Sequence, residues 1–229
     1  RTAEAGQAGR DRTAEAGQAG RDRTAEAGQT GREQAERGAA EKSGGAERAQ
    51  AAWKASLIEY ETGHPQAALQ WAYEAEDAVQ RLPASASSAY LSASVCKACG
   101  QAESALGRFE EAMAHYHRAI GLQESMEGGG IPDLAITYND LAVVLYEMEE
   151  FGEAEDLLKK ALKIQTESYG PDSIALSTTC SNLGLVYAGR GEHEKAVEYY
   201  EKALGLQLDC YGELHPGTAV ICCNLGQEF

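Results

Sequence analysis

The feature that most constrains this chain is a pair of alanine columns that recurs every 42 to 44 residues. Four segments align without gaps: GHPQAALQWAYEA (63–75), GRFEEAMAHYHRA (107–119), EEFGEAEDLLKKA (149–161) and GEHEKAVEYYEKA (191–203). All four have alanine at the sixth and thirteenth positions, namely Ala68, Ala112, Ala154, Ala196 and Ala75, Ala119, Ala161, Ala203. Because these positions are two helical turns apart, both alanines of a segment lie on one face of a helix.

A third column of small residues lies upstream of the segments at a constant spacing of 42, and it consists of Gly100, Ala142, Gly184 and Gly226. Small residues there let two helices approach closely. A turn is predicted between the columns, near Gly63, Gly107, Glu149 and Gly191. Each unit is therefore predicted to be a helix A, a short turn and a helix B, and units of this kind stack into a solenoid.

The predicted fold class is all-α, an α-α solenoid of about four and a half units over residues 49–229. The predicted units are 49–86, 87–130, 131–172, 173–214 and a partial unit at 215–229. Helices A are expected near 49–62, 87–106, 132–148 and 173–190, and helices B near 65–82, 109–124, 151–167 and 193–208. A ninth helix is expected from Pro216, since proline fits a first helical turn.

The segment LGLVYAGRGEHEKAVEYYEKAL (183–204) resembles the tetratricopeptide repeat (TPR) signature. The 42-residue period and the linkers SYGPDSIALSTTCSNLG (168–184) and CYGELHPGTAVICCNLG (210–226) resemble the extended repeats of kinesin light chains. This resemblance implies a right-handed TPR superhelix whose concave side is lined by helices A. It also implies a protein-protein interaction scaffold that binds a peptide or a helix in this groove.

The resemblance directs attention to polar residues on helices A, which can fix the backbone of an extended peptide. The predicted peptide-binding residues are Asn139, Asp140, Val143, Tyr146, Ser181, Asn182, Leu185 and Asn224. Val143 and Leu185 are expected to border the groove, with Tyr146 beyond them, and to receive apolar anchors. The alternative interpretation is that the asparagines only satisfy neighbouring helices.

The partner's chemistry is predicted from charge. Residues 51–229 carry 27 acidic and 11 basic side chains, so the whole net charge of −16 lies on this part. Such a surface repels nucleic acid and anionic membranes, and it favours protein ligands with neutral or basic flanks. Leu185 and Gly189 stand where the resemblance would place two cations that bind a peptide carboxylate, so a ligand recognised by its C-terminal carboxylate is not expected.

The motif Cys96-Lys97-Ala98-Cys99 raises a redox or zinc hypothesis. The repeat alignment favours a core role instead, because Cys96, Cys180 and Cys222 share one column and Cys99 falls in a column of leucines. A second cysteine or histidine pair at metal-ligand spacing is missing from the sequence. The five histidines are predicted to be structural or exposed, and His115 and His117 point to different faces of one helix.

No catalytic site, metal or cofactor is predicted. Gly128-Gly129-Gly130 is not followed by the Gly-Lys-Ser/Thr of a phosphate loop, so it is interpreted as a flexible connection between units. No other nucleophile or dinucleotide signature is found. The chain is expected to be non-enzymatic and, because its cysteines lack a paired framework, cytoplasmic.

Residues 1–48 contain an 11-residue repeat, RTAEAGQAGRD, and the first 50 residues lack Leu, Ile, Val, Met and all aromatic residues. Such a segment cannot bury enough surface to order itself, so residues 1–48 are predicted to be disordered and of low complexity. The unit resembles the 11-residue repeats of late-embryogenesis-abundant proteins, which would imply a stress-protectant tail. Recent duplication of a low-complexity tail explains the near-identical copies equally well.

A second functional hypothesis makes this chain the regulatory or sensor arm of a larger signalling enzyme. The sequence begins at Arg1 without methionine and stops within a repeat, so it is interpreted as a fragment. A catalytic domain would then lie outside these residues. The oligomeric state and the identity of the partner are not predicted.

Overall fold

The computed structural model describes residues 44–126 and 131–228. Residues 1–43 of the predicted disordered segment lie outside the described residues. The predicted flexible connection at 128–130 also lies outside them. The helices are α1 (44–61), α2 (Pro65–Gln80), α3 (Ala86–Ala105), α4 (Phe109–Glu124), α5 (Ile131–Glu147), α6 (Phe151–Tyr169), α7 (Ser177–Gly189), α8 (His193–Tyr211) and α9 (Pro216–Gly226). The part of the chain that the structure describes contains no strand.

Helices α2 to α9 pack in chain order, as a solenoid requires. Helix A packs on helix B within a unit in the pairs α3 with α4, α5 with α6 and α7 with α8. Successive units are joined by the contacts of α2 with α3, α4 with α5, α6 with α7 and α8 with α9. The predicted all-α fold of stacked helix pairs is confirmed, and it places helices A side by side along one surface of the molecule.

The turn between helix A and helix B contains one residue with a left-handed backbone conformation, and this residue lies at the same position in all four units. Gly63, Gly107 and Gly191 have φ values of 82°, 72° and 75°, and Glu149 occupies the equivalent position with φ 62°. Glycine adopts this conformation without strain, whereas a side chain disfavours it. Glu149 therefore holds a conformation that its three counterparts reserve for glycine.

The alanine columns form the contact between helices A and B. All eight alanines are 0% exposed. The third column accommodates a ring: a methyl group on Gly184 would lie 2.5 Å from Tyr200 Cε1, and one on Gly100 would lie 2.9 Å from Tyr116 Cζ. In the third unit the column has Ala142 in place of glycine, and Leu158 aligns with the two tyrosines. The larger column residue is thus paired with the smaller partner side chain.

Three helix ends differ by three residues or more from the predicted ones. Helix α1 already includes residue 44, before the expected start at residue 49. Helix α7 begins at Ser177 because a short 3₁₀ turn over Ile174–Leu176 precedes it, with Ser173 Oγ accepting from Ala175 N–H. Helix α8 continues to Tyr211 and ends where Gly212 has φ 77°, which shows that the glycine sets the end of the helix.

Candidate functional site

A small cavity opens between helices α5 and α7, which are the helices A of the third and fourth units. It has a volume of about 80 Å³ and is lined by Ala142, Val143, Tyr146, Glu147, Leu158, Asn182, Leu185 and Val186. We call it the groove pocket. The structure thus brings together four of the predicted peptide-binding residues, Val143, Tyr146, Asn182 and Leu185.

Tyr146 forms one wall of the groove pocket and is held in place by aromatic packing. Its ring centroid lies 5.6 Å from that of Phe151 at an interplanar angle of 59°. A methyl group on Gly189 would lie 3.2 Å from the same tyrosine ring. Gly189 therefore leaves room for the Tyr146 ring at the point where α5 faces α7. Packing against Phe151 and Gly189 fixes the position of this ring in the wall of the groove pocket.

Asn139 is buried and tethers α5 to α7. Its Nδ2 donates to the carbonyl oxygen of Ala135 and to Thr179 Oγ1, both at 2.9 Å, and its Oδ1 accepts from Asn182 Nδ2 at 3.3 Å. Thr179 Oγ1 in turn donates to Gln165 Oε1 at 2.6 Å. The geometry matches the alternative interpretation for Asn139, since all these groups are used within the protein.

Asn182 is the one amide side chain that lines the groove pocket. Its Nδ2 is engaged by Asn139, and none of the described residues donates to its Oδ1. Ser181 precedes it on α7 and is half-buried, while Asn224 is half-buried on α9, one unit further along, and does not line the pocket. The Oδ1 of Asn182, a residue that lines the pocket, thus keeps its capacity to accept a hydrogen bond.

Asp140 joins the second unit to the third. Its Oδ2 accepts from Gln101 Nε2 at 3.0 Å, across the interface between α3 and α5. Burial raises the pKa of Asp140 to about 6, against the opposing effects of Lys97 and the Gln101 hydrogen bond. The carboxylate of Asp140 therefore contributes its full negative charge to this face only at pH values above about 6.

The exposed stripe of α5 alternates acidic and apolar residues, although Asp133 and Asp140 within it are half-buried. Ile136 and Val143 are 44% and 40% exposed, large fractions for aliphatic side chains. They lie two turns apart on one face, interleaved with Asp133, Asp140 and Glu147 at helical spacing. Sequence reasoning missed Ile136, although the repeat aligns it with Val220 of α9, which is 58% exposed.

The cysteines of the Cys-x-x-Cys motif are buried. Cys96 and Cys99 are 1% and 0% exposed, and burial raises the pKa of Cys96 to about 11 and also raises the pKa of Cys99. A redox cysteine needs a lowered pKa, so these thiols are not poised for disulfide exchange. Cys180 is buried as predicted, but Cys222 is exposed and that prediction was wrong, because no described helix packs on that side of α9.

A second group of polar side chains, which the sequence did not reveal, lies where α2, α3 and α4 meet. Glu103 is fully buried, and its carboxylate accepts from Tyr73 Oη–H and from His115 Nδ1–H, each at 2.7 Å. His115 Nε2 lies 3.8 Å from Glu76 Oε2, and Glu76 also pairs with Arg118. We call Tyr73, Glu76, Cys99, Glu103, His115 and Arg118 the Glu103 cluster.

The model of the tetratricopeptide repeat family matches residues 85–167, 133–209 and 178–229. These overlapping matches span more than half of the chain, which therefore belongs to the tetratricopeptide repeat (TPR) family. TPR arrays are typically non-enzymatic scaffolds whose stacked helices present extended binding surfaces. A protein-interaction scaffold is accordingly the general function of this chain. No curated protein sequence matches it.

Solved structures with the same architecture include kinesin-light-chain-like proteins. BtubC (BKLC) from P. vanneervenii superposes with a TM-score of 0.64 at 21% identity, covering 76% of this chain and 68% of its own. A Podosopora anserina protein described as a kinesin light chain with nearly identical TPR-like repeats gives a TM-score of 0.63 at 17% identity, covering 79% and 85% of the two chains. The predicted kinesin-light-chain-like form of the repeat is confirmed at the level of fold.

The apo form of RapI has a TM-score of 0.61 at 16% identity and matches 77% of this chain but 46% of its own. The shared part is thus less than half of RapI.

Among the described helices, none combines the length and the apolar character needed to cross a membrane.

Proposed function

We propose that the surface formed by α5 and α7 binds a peptide or helix that carries apolar anchors between basic or neutral flanking residues. The observation that carries the proposal is the exposed stripe of α5, in which Ile136 and Val143 alternate with Asp133, Asp140 and Glu147. Apolar side chains of a ligand would pack on the former two, and its cations would face the three carboxylates.

The groove pocket supplies the anchor site in this proposal. Val143 and Leu185 provide the apolar surface, while the free Oδ1 of Asn182 accepts a backbone N–H of the ligand. Asn139 and Asp140 act differently from the predicted direct contacts, since Asn139 holds Asn182 in place and Asp140 contributes charge. Ser181 and Asn224 would contact only a ligand long enough to reach from the pocket towards α9.

A peptide array tests the flank preference. Peptides with one fixed apolar core and Lys/Arg, Ser or Glu flanks are probed with the reduced full-length chain at low and at high salt. Basic flanks are expected to bind best, with an advantage that shrinks at high salt because the attraction is screened. Preference for the Glu-flanked series, or equal binding of all three, would contradict the proposal.

The pocket itself is tested by removing its apolar surface without changing charge. Val143→Ser is expected to weaken binding of the best basic-flanked peptide about tenfold, since the lost burial is worth about 1–1.5 kcal/mol. The matched control is Leu208→Ser on the helix B α8, because Leu208 is 38% exposed, close to the 40% of Val143. An equal loss in both variants would indicate a general effect on folding or solubility.

The hypothesis that this chain is the regulatory arm of a larger signalling enzyme stays a prediction. It concerns residues outside this sequence, and the open reading frame that contains them decides it.

A further inference from the structure

The Glu103 cluster occupies positions that are aliphatic at the junction of the second and third units, and aliphatic or tyrosine further along the array. By the repeat spacing, Cys99 corresponds to Leu141 and Leu183, Glu103 to Leu145 and Tyr187, His115 to Leu157 and Tyr199, and Glu76 to Ile120, Leu162 and Leu204. Only the junction of the first and second units has this polar set among the described residues. Because Ile120, Leu141, Leu145 and Leu157 pack the junction of the second and third units, aliphatic side chains suffice there, and packing alone does not account for these four residues.

Three side chains of the cluster converge on one point from three helices. Glu76 of α2, Cys99 of α3 and His115 of α4 each offer one ligand atom, and these atoms all lie within 4.8 Å of one another. The ligand atoms of a tetrahedral zinc ion are separated by about 3.3–3.7 Å, given metal–ligand bonds of about 2.0–2.3 Å. Small side-chain adjustments would close the set around an ion.

Glu103 orients the histidine in the manner of a zinc site. Metal-bound histidine commonly donates its other ring N–H to a carboxylate, which fixes the tautomer and the ring. Here His115 Nδ1–H donates to the fully buried Glu103, and the hydrogen bond from Tyr73 holds that carboxylate in turn. His115 Nε2 is thereby directed towards Glu76, the side on which a metal would lie.

We propose that Glu76, Cys99 and His115 bind a zinc-class divalent ion, with water as the fourth ligand. One thiolate and one imidazole favour zinc over magnesium or calcium, which prefer all-oxygen sites. The charges balance, since the ion and Arg118 together offset the thiolate and the carboxylates of Glu76 and Glu103. The site stands independently of the proposed groove function, because the groove pocket is formed by α5, α6 and α7.

An entry path adjoins the site. A cavity of about 240 Å³ is lined by residues of α2, α3 and α4 and by the turn between α2 and α3, among them Glu76, Ser88, Ser92 and Arg118. Glu76 belongs both to this cavity and to the ligand set. Glu76 is the one member of the ligand set that lines this cavity, so an ion entering here would meet its carboxylate before the buried Cys99.

Cobalt(II) titration of the reduced full-length chain tests the proposal. The exposed Cys210, Cys222 and Cys223 are first replaced by serine to remove competing thiols. The expected result is binding of one ion per chain, displaced by zinc, with a thiolate-to-cobalt charge-transfer band and the intense visible bands of a tetrahedral site. No saturable binding, or octahedral cobalt without the charge-transfer band, would overturn the proposal.

Variants distinguish this site from any other thiol. Cys99→Ala is expected to abolish the charge-transfer band, and His115→Gln to weaken binding at least tenfold. Cys96→Ala is the matched control, because Cys96 is equally buried and one turn away on α3; it is expected to bind cobalt as the parent does. Circular dichroism verifies that each variant is folded. A band that survives Cys99→Ala, or one that disappears only in Cys96→Ala, would contradict the assignment.

Glu103 is a positioning residue in this account. Glu103→Gln is expected to weaken cobalt binding about 10–100-fold and to shift the visible bands, as loss of the carboxylate partner of a metal-bound histidine does. Unchanged affinity and unchanged bands in this variant would assign Glu103 to packing alone.

Discussion

The two halves of the described array have the same helix-pair geometry but different interiors. From α4 to α9 a continuous apolar core contains Leu141, Leu158 and Leu183, all fully buried. Helices α1 to α3 contribute two smaller clusters that consist largely of alanine, and the Glu103 cluster lies beside them. The alanine columns are thus common to both halves and set the fold, whereas the other core positions differ in residue type from one half to the other. The C-terminal half carries the proposed groove, and the proposed metal site lies where α2 and α3 of the N-terminal half meet α4.

The largest effect is expected from substitutions in the glycine column, which test whether these glycines allow helices A and B to pack closely in both halves. Gly184→Ala is expected to lower the free energy of unfolding by about 2 kcal/mol, because the added methyl group would lie 2.5 Å from the ring of Tyr200. Gly100→Ala is expected to cost less, since its methyl group would lie 2.9 Å from Tyr116. Chemical denaturation measures both variants.

Two controls sharpen this prediction. Gly205→Ala makes the same change in a helix where nothing lies within 4 Å, so a gain of about 1 kcal/mol is expected from helix propensity. The double variant Gly184→Ala, Tyr200→Leu reproduces the Ala142 and Leu158 pair of the third unit and is expected to recover part of the loss. Equal losses in the single and double variants would show that the ring is not the cause.

The hydrogen-bond network of the C-terminal half is tested by Asn139→Ala. This change removes three hydrogen bonds and leaves the buried Thr179 hydroxyl with one fewer partner, so a loss of about 1–2 kcal/mol is expected. Asn182→Ala removes one of these bonds and is expected to cost less stability, while weakening peptide binding. If Asn182→Ala were the more destabilising of the two, the assignment of Asn139 as the tether would be incorrect.

The junction between the halves is expected to respond to pH through Asp140. Its pKa is raised by burial to about 6. A raised pKa means that the folded state binds the proton more tightly than the unfolded chain, so the resulting stability is fully present below the ordinary aspartate pKa and is lost as pH rises through about 6. Asp140→Asn is therefore expected to stabilise the chain at pH 7 by about 1–2 kcal/mol, with little difference at pH 4.

Asparagine already stands in the Asp140 column at 182 and 224, which makes this replacement compatible with the repeat. Thermal unfolding of both proteins between pH 4 and pH 7 measures the effect. A variant whose stability relative to the parent does not change with pH would exclude Asp140 as the titrating group.

The smallest expected effect concerns the turn of the third unit. Glu149→Gly is expected to raise the free energy of unfolding by about 1 kcal/mol, because glycine adopts a φ of 62° without strain. Gly191→Ala makes the opposite change at the equivalent turn, where φ is 75°, and is expected to destabilise by a similar amount. Effects of the same sign in the two variants would contradict this explanation.

The sequence predicted what is periodic in the molecule. The columns located the helices, the turns and the buried alanines, and they aligned Val143 with Leu185 at the groove pocket. Asn139 shows one limit of the columns. They did not predict that Asn139 is buried against α7, whereas Asn182 lines the groove pocket. Cys222 shows another limit, because a column records the core position of a complete helix A and helix B pair, and no described helix B follows α9.

The Glu103 cluster could not be predicted because it depends on contacts among three helices. Glu76, Cys99 and His115 are far apart in the sequence and match no metal-ligand spacing. Comparison of columns would have given a signal, since these residues replace leucine, isoleucine or tyrosine at the next junctions. Polarity within an otherwise apolar column is thus informative even where the spacing between ligands is not.

Methyl NMR of the reduced full-length chain, titrated with the best basic-flanked peptide, tests the central claim most directly. The methyl resonances of Val143 and Leu185 are expected to shift with a common saturation curve, whereas those of Leu208 and Leu214, exposed and distant from the pocket in sequence, are expected to remain in place. Shifts at Leu208 with none at Val143 and Leu185 would place the binding surface elsewhere and contradict the account.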